Sequence, residues 1–468
     1  MTLIAPGLAQ YVAGSRRVGA IALRTYAVLG GLALLAAGVV LLSRAGGAAL
    51  GFAVALGTHG AVLTGVRIAL CVVAIAWFAL FVDALRLGEP RALPHGERFW
   101  ASLVAVGLSL AVVAVLLTGA HYVDVTQRSL DQVFHARTVS APEGGRYNIL
   151  LLGGDAGPGR IGMRPDSITL VSIDQETGRA AMLGFPRNLQ RVPFTPGSPM
   201  DRAWPNGFDC GTECLLNAVN TWANQHREIF PPSTPDPGIA ATRDAITALT
   251  GLKVNYHVVM NMGGFAALVD AVGGIRITLR EPMPMGPLDA PYSQVLPAGE
   301  HHFDGAQALA YARTRSADSD YSRMARQRCV MAAMLRQLDP GTVLRRFEAI
   351  AEAGTGSIRT DIPAAELGSL VEIARKVREQ PIVSVQFVPP LINTTRPDLG
   401  AIRRTVQQAV RATQRPPASD QASATKGGRA STPRSETTPA PETTPASTSE
   451  SEQRDTGVAE LGRICAAD

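Results

Sequence analysis

A cluster of charged side chains at residues 311–328, YARTRSADSDYSRMARQR, carries the residue types in this chain that are best suited to chemistry. It holds five arginines and two aspartates, in a chain whose composition is 46% hydrophobic. One guanidinium group can donate two parallel hydrogen bonds to phosphate oxygens, and it keeps its charge at any physiological pH. The cluster therefore predicts one wall of an anion site.

The second half of this cluster predicts a helix that points polar groups inward. At about 100° per residue, Asp320, Arg323 and Gln327 share a face with a stripe of Met and Leu that should face the core. Arg326 and Arg336 fall on the other side, so we expect them to be solvated surface charges. An inward-facing acid and base either satisfy each other as a structural ion pair or line a ligand cavity.

A second charged group follows a predicted strand. The run YNILLL leads into two glycines and Asp155, and the loop GPGRIGMRPD then supplies Arg164 and Asp166. Sites of α/β domains usually lie in loops at strand ends, so we expect these residues to lie close together at one sheet edge. Arg187 follows the return strand. A polar hairpin loop without a function is the alternative.

Short strands alternating with helices predict an α/β domain with a central mixed sheet and helices packed on it. Strands are expected at 147–152, 167–174, 179–185, 254–260, 275–279 and 382–388, and helices at 213–229, 237–250, 261–272, from Asp304 onward, 343–352 and 363–378. Residues 411–457 contain no Val, Ile, Leu, Met or aromatic residue. Such a segment cannot bury enough surface to fold, so it predicts a disordered tail.

Three apolar segments, at 25–43, 61–82 and 100–118, are each about long enough to span a bilayer. Arginines precede the first and lie between the second and third, which places the N-terminus inside and the chain after about Tyr122 outside. We divide the chain into a cytoplasmic N-terminus (1–24), a three-helix transmembrane region (25–120), a linker (121–145), an extracytoplasmic catalytic domain (146–410), a disordered Ser/Thr/Pro-rich tail (411–457) and a short C-terminal segment (458–468).

The cysteines fit an exported domain. Cys71 lies in the second span, whereas Cys210, Cys214, Cys329 and Cys465 form an even number in a compartment that permits disulfides. Two bridges are plausible, and all three pairings stay open. Cys329 lies opposite the core stripe of its helix, which suits a bridge better than burial.

Several classes of function are disfavoured. The sequence has no phosphate-binding GxxxxGK[ST] loop, no HExxH, no GxSxG and no zinc-spaced cysteine pairs. The basic excess of +5 lacks the clustered aromatics of a single-strand nucleic-acid platform, so we expect no nucleic-acid partner. His257 alternates with apolar neighbours and predicts a satisfied core residue rather than a catalyst. The adjacent His301 and His302 cannot both face one metal in an extended segment.

The motifs resemble those of the LytR-CpsA-Psr (LCP) family in ordered succession over about residues 146–338. The matching stretches are NILLLGGDAGPGRIGMRPDSITLVSID, GFPRNL, GGFAALVDAVGGIRI, LPAGEHHFDGAQALAYART and DSDYSRMARQR. The three preceding spans and the CGTEC loop resemble the actinobacterial branch. The family often has a lysine before its Asn-Ala step, where this chain has Leu216, so that contact is missing; Arg202 or Lys253 are candidates to replace it.

The resemblance implies a phosphotransferase that acts outside the membrane. It would move a glycopolymer phosphate from a polyprenyl-pyrophosphate carrier to a muramic-acid hydroxyl of peptidoglycan, with Mg²⁺ as cofactor. It implies catalytic roles for Asp155, Asp166, Arg187, Arg313, Arg315, Asp320 and Arg323, substrate binding by Arg164 and Gln327, and Mg²⁺ binding by Asp155 and Asp166. Asp318 is the weaker alternative to Asp320 for assisting the acceptor hydroxyl.

Two other functions use the same residues. A membrane-bound regulatory protein could hold polyprenyl-phosphate lipids without turnover, and a pyrophosphatase could cleave the same lipid. The actinobacterial resemblance suggests an arabinogalactan-type polymer, whereas teichoic acid or capsule is equally compatible with the site residues.

Overall fold

The structure is a computed structural model. It describes residues 6–12, 15–43, 57–87, 94–134, 139–155, 163–279, 281–285, 294–314, 320–337, 358–414 and 459–460. The chain divides into two compact units, one of residues 1–139 with 362–372 and the other of residues 140–361 with 373–468. The predicted helix at 343–352, the residue Arg315 and most of the predicted tail lie outside the described residues.

One short helix and three long ones form the described N-terminal part of the first unit. They are α1 (Leu8–Val12), α2 (Arg16–Ser43), α3 (Gly60–Leu87) and α4 (His95–Val133). Among the described residues, two segments are long and apolar enough to cross a membrane, Gly60–Leu87 and Ser102–Arg128, each with a mean hydropathy of 2.5. They overlap the second and third predicted spans. The first predicted span lies within α2, and its crossing of the membrane stays a prediction.

Charged and polar side chains join α3 to α4. Arg67 forms an ion pair with Asp124, which also lies 2.6 Å from Arg128. The side chains of Thr64 and Gln127 are hydrogen-bonded nearby, at 3.4 Å. Arg67 lies near one end of an apolar segment, where a long side chain can extend to the polar surface of the membrane. In the structure Arg67 has a carboxylate partner, which lowers the cost of a charge within an apolar helix.

The second unit is built on a mixed seven-stranded sheet. The described strands are β1 (Arg146–Asp155), β2 (Arg164–Asp174), β3 (Ala180–Phe185), β4 (Tyr256–Met260), β5 (Ile275–Leu279), β6 (Met283–Met285), β7 (Gln294–Leu296), β8 (Gly299–Phe303), β9 (Ile358–Thr360), β10 (Ile382–Gln386) and β11 (Ala459–Glu460). The sheet order is β11-β10-β3-β2-β1-β4-β9. Strand β10 runs parallel to β3 and β1 parallel to β4, while the other neighbours are antiparallel. The predicted mixed sheet is therefore confirmed.

Helices cover this sheet and two smaller two-stranded sheets, β5-β8 and β6-β7. The remaining α-helices are α5 (Pro199–Ala203), α6 (Val219–Gln225), α7 (Pro237–Thr250), α8 (Met262–Ala271), α9 (Gly305–Arg313), α10 (Asp320–Gln337), α11 (Leu367–Arg378) and α12 (Leu399–Ala412). Short 3-10 helices occupy Leu216–Ala218, Arg227–Ile229 and Ala364–Glu366.

The two faces of the sheet differ because side chains alternate along each strand. On one face, Leu150, Leu170, Leu183 and Val385 are fully buried in a core that also contains residues of α6, α7 and α12. Burial of each such side chain stabilises the fold by about 2 kcal/mol. A second core joins α8, α9 and α10 with β5 and β8.

The N-terminus of α9 is fixed by a reciprocal cap. The Asp304 side chain accepts a hydrogen bond from the Gln307 backbone N–H at 2.8 Å, and the Gln307 side chain accepts one from the Asp304 backbone N–H at 3.1 Å. This reciprocal capping satisfies two backbone donors that the helix itself leaves open. It sets the register with which α9 carries Arg313 at its last position.

The helix predicted at 213–229 is wrong in its extent. The structure breaks this segment into Leu216–Ala218, α6 and Arg227–Ile229. The backbone N–H groups of Leu216 and Asn217 donate to the carbonyls of Leu189 and Arg187, at 2.8 and 3.1 Å. These long-range bonds hold the start of the segment against the loop after β3 and keep it out of a continuous helix.

One carboxylate holds the β9 edge of the sheet. Asp361 accepts hydrogen bonds from the His257 backbone N–H and from Arg243 Nη1, both at 2.6 Å, and lies 3.0 Å from His257 Nδ1. His257 thus has the polar partner expected of a satisfied residue. Burial alone would raise the pKa of Asp361, but the contacts with His257 and the charge of Arg243 outweigh it and hold the pKa below its ordinary value of 3.8.

We expect Asp361→Asn to lower the free energy of unfolding at neutral pH by about 2 kcal/mol, because charge-assisted hydrogen bonds are lost. The folded-state pKa lies below the unfolded one, so the ionised carboxylate stabilises the fold above about pH 4, and this contribution disappears as the pH falls further. Thermal unfolding of the full-length protein in detergent should show a larger loss of stability between pH 7 and pH 3 in the wild type than in the variant. Equal losses would contradict this role.

Candidate functional site

The candidate site begins where β1 ends and β2 starts. Asp155 and Arg164 are cross-strand partners, and the register shifts between Gly153 and Gly154, so that Asp166 is the extra residue of a bulge. A Cβ on Gly154 would lie 2.8 Å from the Cα of Pro165, so only glycine allows the strands to approach this closely. The pairing therefore brings Asp155, Arg164 and Asp166 close together, as expected, but at the adjoining ends of two central strands rather than at an edge of the sheet. The structure describes the backbone of Asp155 but not its side chain.

Arg187 follows β3, the strand that pairs with β2, and lies beside the end of β2. Ile168 of β2 pairs with Phe185 of β3, and Arg187 Nη1 then lies 2.6 Å from Asp166 Oδ1. The side chains are 29% and 51% exposed, so both charged groups are open to a ligand. Ion pairs this exposed contribute about 0–1 kcal/mol to stability. Fold stability alone therefore explains the presence of this ion pair poorly.

The backbone of Arg187 is fixed by a hydrogen bond from another segment. Its carbonyl accepts the Asn217 N–H bond described above, and a disulfide between Cys210 and Cys214 closes the loop just before that segment. Cys329 is also disulfide-bonded, and it is only 6% exposed. The bridge expected at Cys329 is confirmed, whereas the expectation that this residue would not be buried is wrong. Cys465 lies outside the described residues.

Helix α10 turns two of its arginines inward. Arg323 is 4% exposed and Met324 is 7% exposed, as expected of the predicted inward face. Gln327, Met331 and Leu335 of the same face are only partly buried. Arg336 is exposed, as expected. Arg326 is 6% exposed, so its assignment as a surface charge is wrong. Its Nη2 donates to the Thr314 carbonyl at 2.7 Å, where the end of α9 presents partial negative charge.

A cleft runs between the sheet and α10. It is lined by Asp166, Ser167, Ile168, Thr169, Met182, Gly184, Phe185, Met324, Gln327, Arg328, Met331 and Gln386. Asp166 and Gln327 thus share this cleft, and Arg187 reaches it through its ion pair with Asp166. Gln327 Nε2 also donates to the Ala312 carbonyl at 3.4 Å. The cleft combines charged groups at the adjoining ends of β1 and β2 with methionines along its walls.

For the other predicted site residues, the structure shows exposure or position in a helix but, among the described residues, no contact with the cleft. Arg164 is exposed, Arg313 is exposed at the last position of α9, and Arg323 lies one helical turn before Gln327. Asp320 is the first residue of α10, but its side chain is not described. Leu216 is fully buried in the core, while Arg202 and Lys253 are exposed and neither lines the cleft.

The lining residues that were not assigned to the site from the sequence include Arg328, Gln386 and Gly184. Arg328 lies at the edge of the predicted core stripe, so the helical wheel leaves it ambiguous. Gln386 is a polar residue within the predicted strand at 382–388, and this break in an apolar run is the signal that could have found it. Gly184 gives no signal, since its role depends on the neighbouring strand.

The comparisons with known proteins agree with the motifs. The sequence profile of the LytR_cpsA_psr family matches residues 117–396, which is more than half of the chain. The "Probable cell wall biosynthesis protein LcpB" of Corynebacterium glutamicum is 33% identical over 42% of this chain and 38% of its own length. The polyisoprenyl-teichoic acid–peptidoglycan teichoic acid transferase TagT of Bacillus subtilis is 27% identical over 50% of this chain and 69% of its own length.

A crystal structure of B. subtilis TagT aligns with 60% of this chain and 99% of its own, with a TM-score of 0.42 and 20% sequence identity. The matched part of the chain spans only about two fifths of the corynebacterial relative. Membership is shown by the family profile, whose match covers every predicted site residue. The chain belongs to the LytR_cpsA_psr family.

Proposed function

We propose that the protein is a phosphotransferase that moves a glycopolymer phosphate from a polyprenyl-pyrophosphate carrier to a muramic-acid hydroxyl of peptidoglycan. The observation that carries the proposal is the partly exposed Asp166–Arg187 pair, whose aspartate lines a cleft that also contains three methionines. A diphosphate needs charged partners, and an isoprenoid chain needs apolar walls. The printed names of relatives in cell wall biosynthesis and teichoic acid transfer support the same chemistry.

The reaction exchanges one phosphorus–oxygen bond for another. The acceptor hydroxyl oxygen bonds to the phosphorus that carries the glycan, and the bond from that phosphorus to the bridging oxygen breaks. Polyprenyl phosphate leaves, and the hydroxyl proton passes to a base. Such a step requires positioning and charge stabilisation more than covalent assistance.

The arginines would stabilise the negative charge of the diphosphate. Arg187, the ion-pair partner of the cleft residue Asp166, is the first candidate. Arg164, Arg313, Arg315 and Arg323 are the further candidates. Asp320 would orient or deprotonate the acceptor hydroxyl as the first residue of α10, and Gln327 would donate a hydrogen bond within the cleft. Guanidinium groups suit this work because they stay charged beside phosphate.

Mg²⁺ fits the donor set at the adjoining ends of β1 and β2. Two carboxylates, Asp155 and Asp166, belong to backbone positions that the register brings together, and Mg²⁺ takes one or two carboxylates with phosphate oxygens and water. Among the side chains that the structure describes, no group of three or more His, Cys, Asp or Glu could hold a metal. When bound, Mg²⁺ would neutralise charge on the leaving phosphate.

The proposed location is the cell membrane, with three spans and an extracytoplasmic catalytic domain. The two apolar helices support an anchor, and the Cys210–Cys214 disulfide supports an oxidising compartment. Labelling of intact cells with a membrane-impermeant reagent at a cysteine placed at Arg404, which is exposed, should succeed. Labelling only after lysis would contradict this orientation.

The decisive assay supplies full-length protein with polyprenyl-diphosphate-linked glycan and peptidoglycan. We expect glycan bound covalently to peptidoglycan, with polyprenyl phosphate as the second product. Chelation of divalent metal should lower the rate by about two powers of ten, since metal stabilisation of phosphoryl transfer is worth several kcal/mol, and added Mg²⁺ should restore it.

The competing functions give different products in this assay. A regulatory lipid-binding protein would bind the carrier without any product, and it would not respond to chelation. A pyrophosphatase would release a free glycan that ends in phosphate. Parallel reactions with arabinogalactan-type and teichoic-acid donors identify the polymer.

A further inference from the structure

The helices α3 and α4 share a cluster of charged side chains that the proposed reaction does not use. Arg67 Nη1 pairs with Asp124 Oδ1, and Arg128 Nη2 lies 2.6 Å from Asp124 Oδ2. One carboxylate thus pairs with two guanidinium groups. We call these three side chains the α3–α4 cluster. Its two positive charges and one negative charge leave one positive charge uncompensated.

The two arginines are the open part of this cluster. The side chains of Arg67 and Arg128 are 44% and 74% exposed, whereas that of Asp124 is 19% exposed. Among the described residues, neither arginine has a second carboxylate partner. Each guanidinium group carries five N–H donors, whereas one carboxylate offers about four acceptor positions. Further donors are therefore available to an anion from outside the chain.

The proposed orientation places the α3–α4 cluster at the depth of lipid phosphates. From Arg67 to Arg86, α3 is about 29 Å long at 1.5 Å per residue, which is close to the hydrocarbon thickness of about 30 Å. With Arg86 at the inner boundary, Arg67 lies at the outer one. Tyr122 of α4, which is 61% exposed, is a residue type enriched at that boundary. The cluster therefore faces headgroups rather than hydrocarbon.

Exposed apolar side chains lie beside the cluster on both helices. Val66 and Ile68 of α3 are 43% and 55% exposed, and Leu117 of α4 is 48% exposed. A soluble anion would satisfy the guanidinium groups but leave these apolar side chains in contact with water, which is unfavourable. A lipid offers both a charged phosphate and acyl chains. The surface thus fits a lipid better than a free phosphate.

The net charge of the cluster distinguishes between lipids that carry phosphate. The phosphate diester of an anionic glycerophospholipid carries one negative charge, which equals the uncompensated charge of the cluster. A phosphate monoester, such as polyprenyl phosphate, carries about −1.5 to −2 at pH 7. A zwitterionic headgroup carries no net charge. The match in charge therefore favours an anionic glycerophospholipid.

We propose that the α3–α4 cluster binds the phosphodiester of an anionic glycerophospholipid in the outer leaflet, through Arg67 and Arg128. Asp124 would hold the two guanidinium groups side by side. This inference rests on the proposed location of the chain in a membrane, and not on the proposed transfer of glycopolymer. It gives α3 and α4 a lipid-selective role beyond that of an anchor.

The test measures lipid binding to the full-length protein in detergent by native mass spectrometry. The separate probes are phosphatidylglycerol, phosphatidylcholine and polyprenyl phosphate, and we expect the wild type to bind phosphatidylglycerol most tightly. Arg128→Gln removes one exposed cation and should weaken that binding about fivefold, the usual effect of one arginine near an anionic lipid surface. Binding of phosphatidylcholine should not change.

Asp124→Asn should change the same binding in the opposite direction. It preserves the shape of the side chain and removes the negative charge of the cluster, so phosphatidylglycerol should bind about fivefold more tightly. Arg404→Gln is the matched control, because Arg404 forms an exposed ion pair with Asp398 in the second unit. It changes the charge of the protein as Arg128→Gln does, and it should bind each lipid as the wild type does.

A purely structural cluster predicts a different result. Arg128→Gln and Asp124→Asn would then both lower the melting temperature, and neither would change the preference for phosphatidylglycerol. Tighter binding of polyprenyl phosphate than of phosphatidylglycerol would overturn the proposed identity of the lipid. Because tighter binding requires folded protein, Asp124→Asn decides if Arg128→Gln fails to fold.

Failure of the proposed location and failure of the proposed function are distinguishable. A wild-type protein that is not retained in the cell membrane would refute the proposed location, and with it this inference. Absence of glycan transfer in the assay above would refute the proposed function alone, because the lipid-binding measurement does not depend on transfer.

Discussion

Replacement of Arg187 by alanine is expected to lower the rate of glycopolymer transfer by about two to three powers of ten, the usual effect of removing one charged contact to a transition state. Arg187 Nη1 lies 2.6 Å from the carboxylate of Asp166, which lines the cleft. The half-exposed pair contributes little to folding, so the variant should unfold at nearly the wild-type temperature. Transfer is measured as glycan bound to peptidoglycan per unit time.

Arg191→Ala is the matched control for this prediction. Arg191 lies four residues further along the same loop region and forms a similarly exposed ion pair with Asp209, at 3.1 Å. It should transfer glycan at the wild-type rate. Arg187→Lys should recover only part of the activity, because an ammonium cannot form the paired hydrogen bonds of a guanidinium. Near wild-type transfer by Arg187→Ala would show that the anion site lies elsewhere.

The closeness of the residues at the end of β1 and the start of β2 was predictable, because residues near in the chain determine it. A strand, a glycine-rich connection and a second strand fix which residues meet, so the sequence alone predicts that Asp155, Arg164 and Asp166 lie together. Arg187 was assigned to the same site only through the family resemblance. The bulge at Gly153–Gly154 was not predictable, since it depends on the backbone packing of Pro165.

Contacts between distant segments explain the features that the sequence did not predict. A helical wheel describes one buried stripe, but α10 also packs against the end of α9, and Arg326 is buried there on the Thr314 carbonyl. The break in the predicted helix at 213–229 has the same origin, in bonds from Leu216 and Asn217 to the loop after β3. Gln386 and Gly184 face each other only because β10 pairs with β3.

Replacement of Arg323 or Arg326 is the second change for which we expect a large effect, on transfer rate for one and on stability for the other. Both residues are buried in α10 but lie on different parts of its surface. We expect Arg323→Met to lower transfer by the folded protein, measured at low temperature, by about two powers of ten or more. Arg323 shares its helix face with Gln327, which lines the cleft.

Arg326→Met should show the opposite pattern. It leaves the Thr314 carbonyl without the donor that lies 2.7 Å away, and loss of a charge-assisted hydrogen bond at a buried acceptor costs about 1.5–3 kcal/mol. The melting temperature should fall, while transfer by the folded protein at low temperature stays close to the wild-type rate. Both variants remove one buried guanidinium from α10, so they differ only in what that group contacts. If Arg323→Met instead lost stability and kept its activity, the inward charge of α10 would be structural, and the anion site would consist of the adjoining ends of β1 and β2 with Arg187 alone.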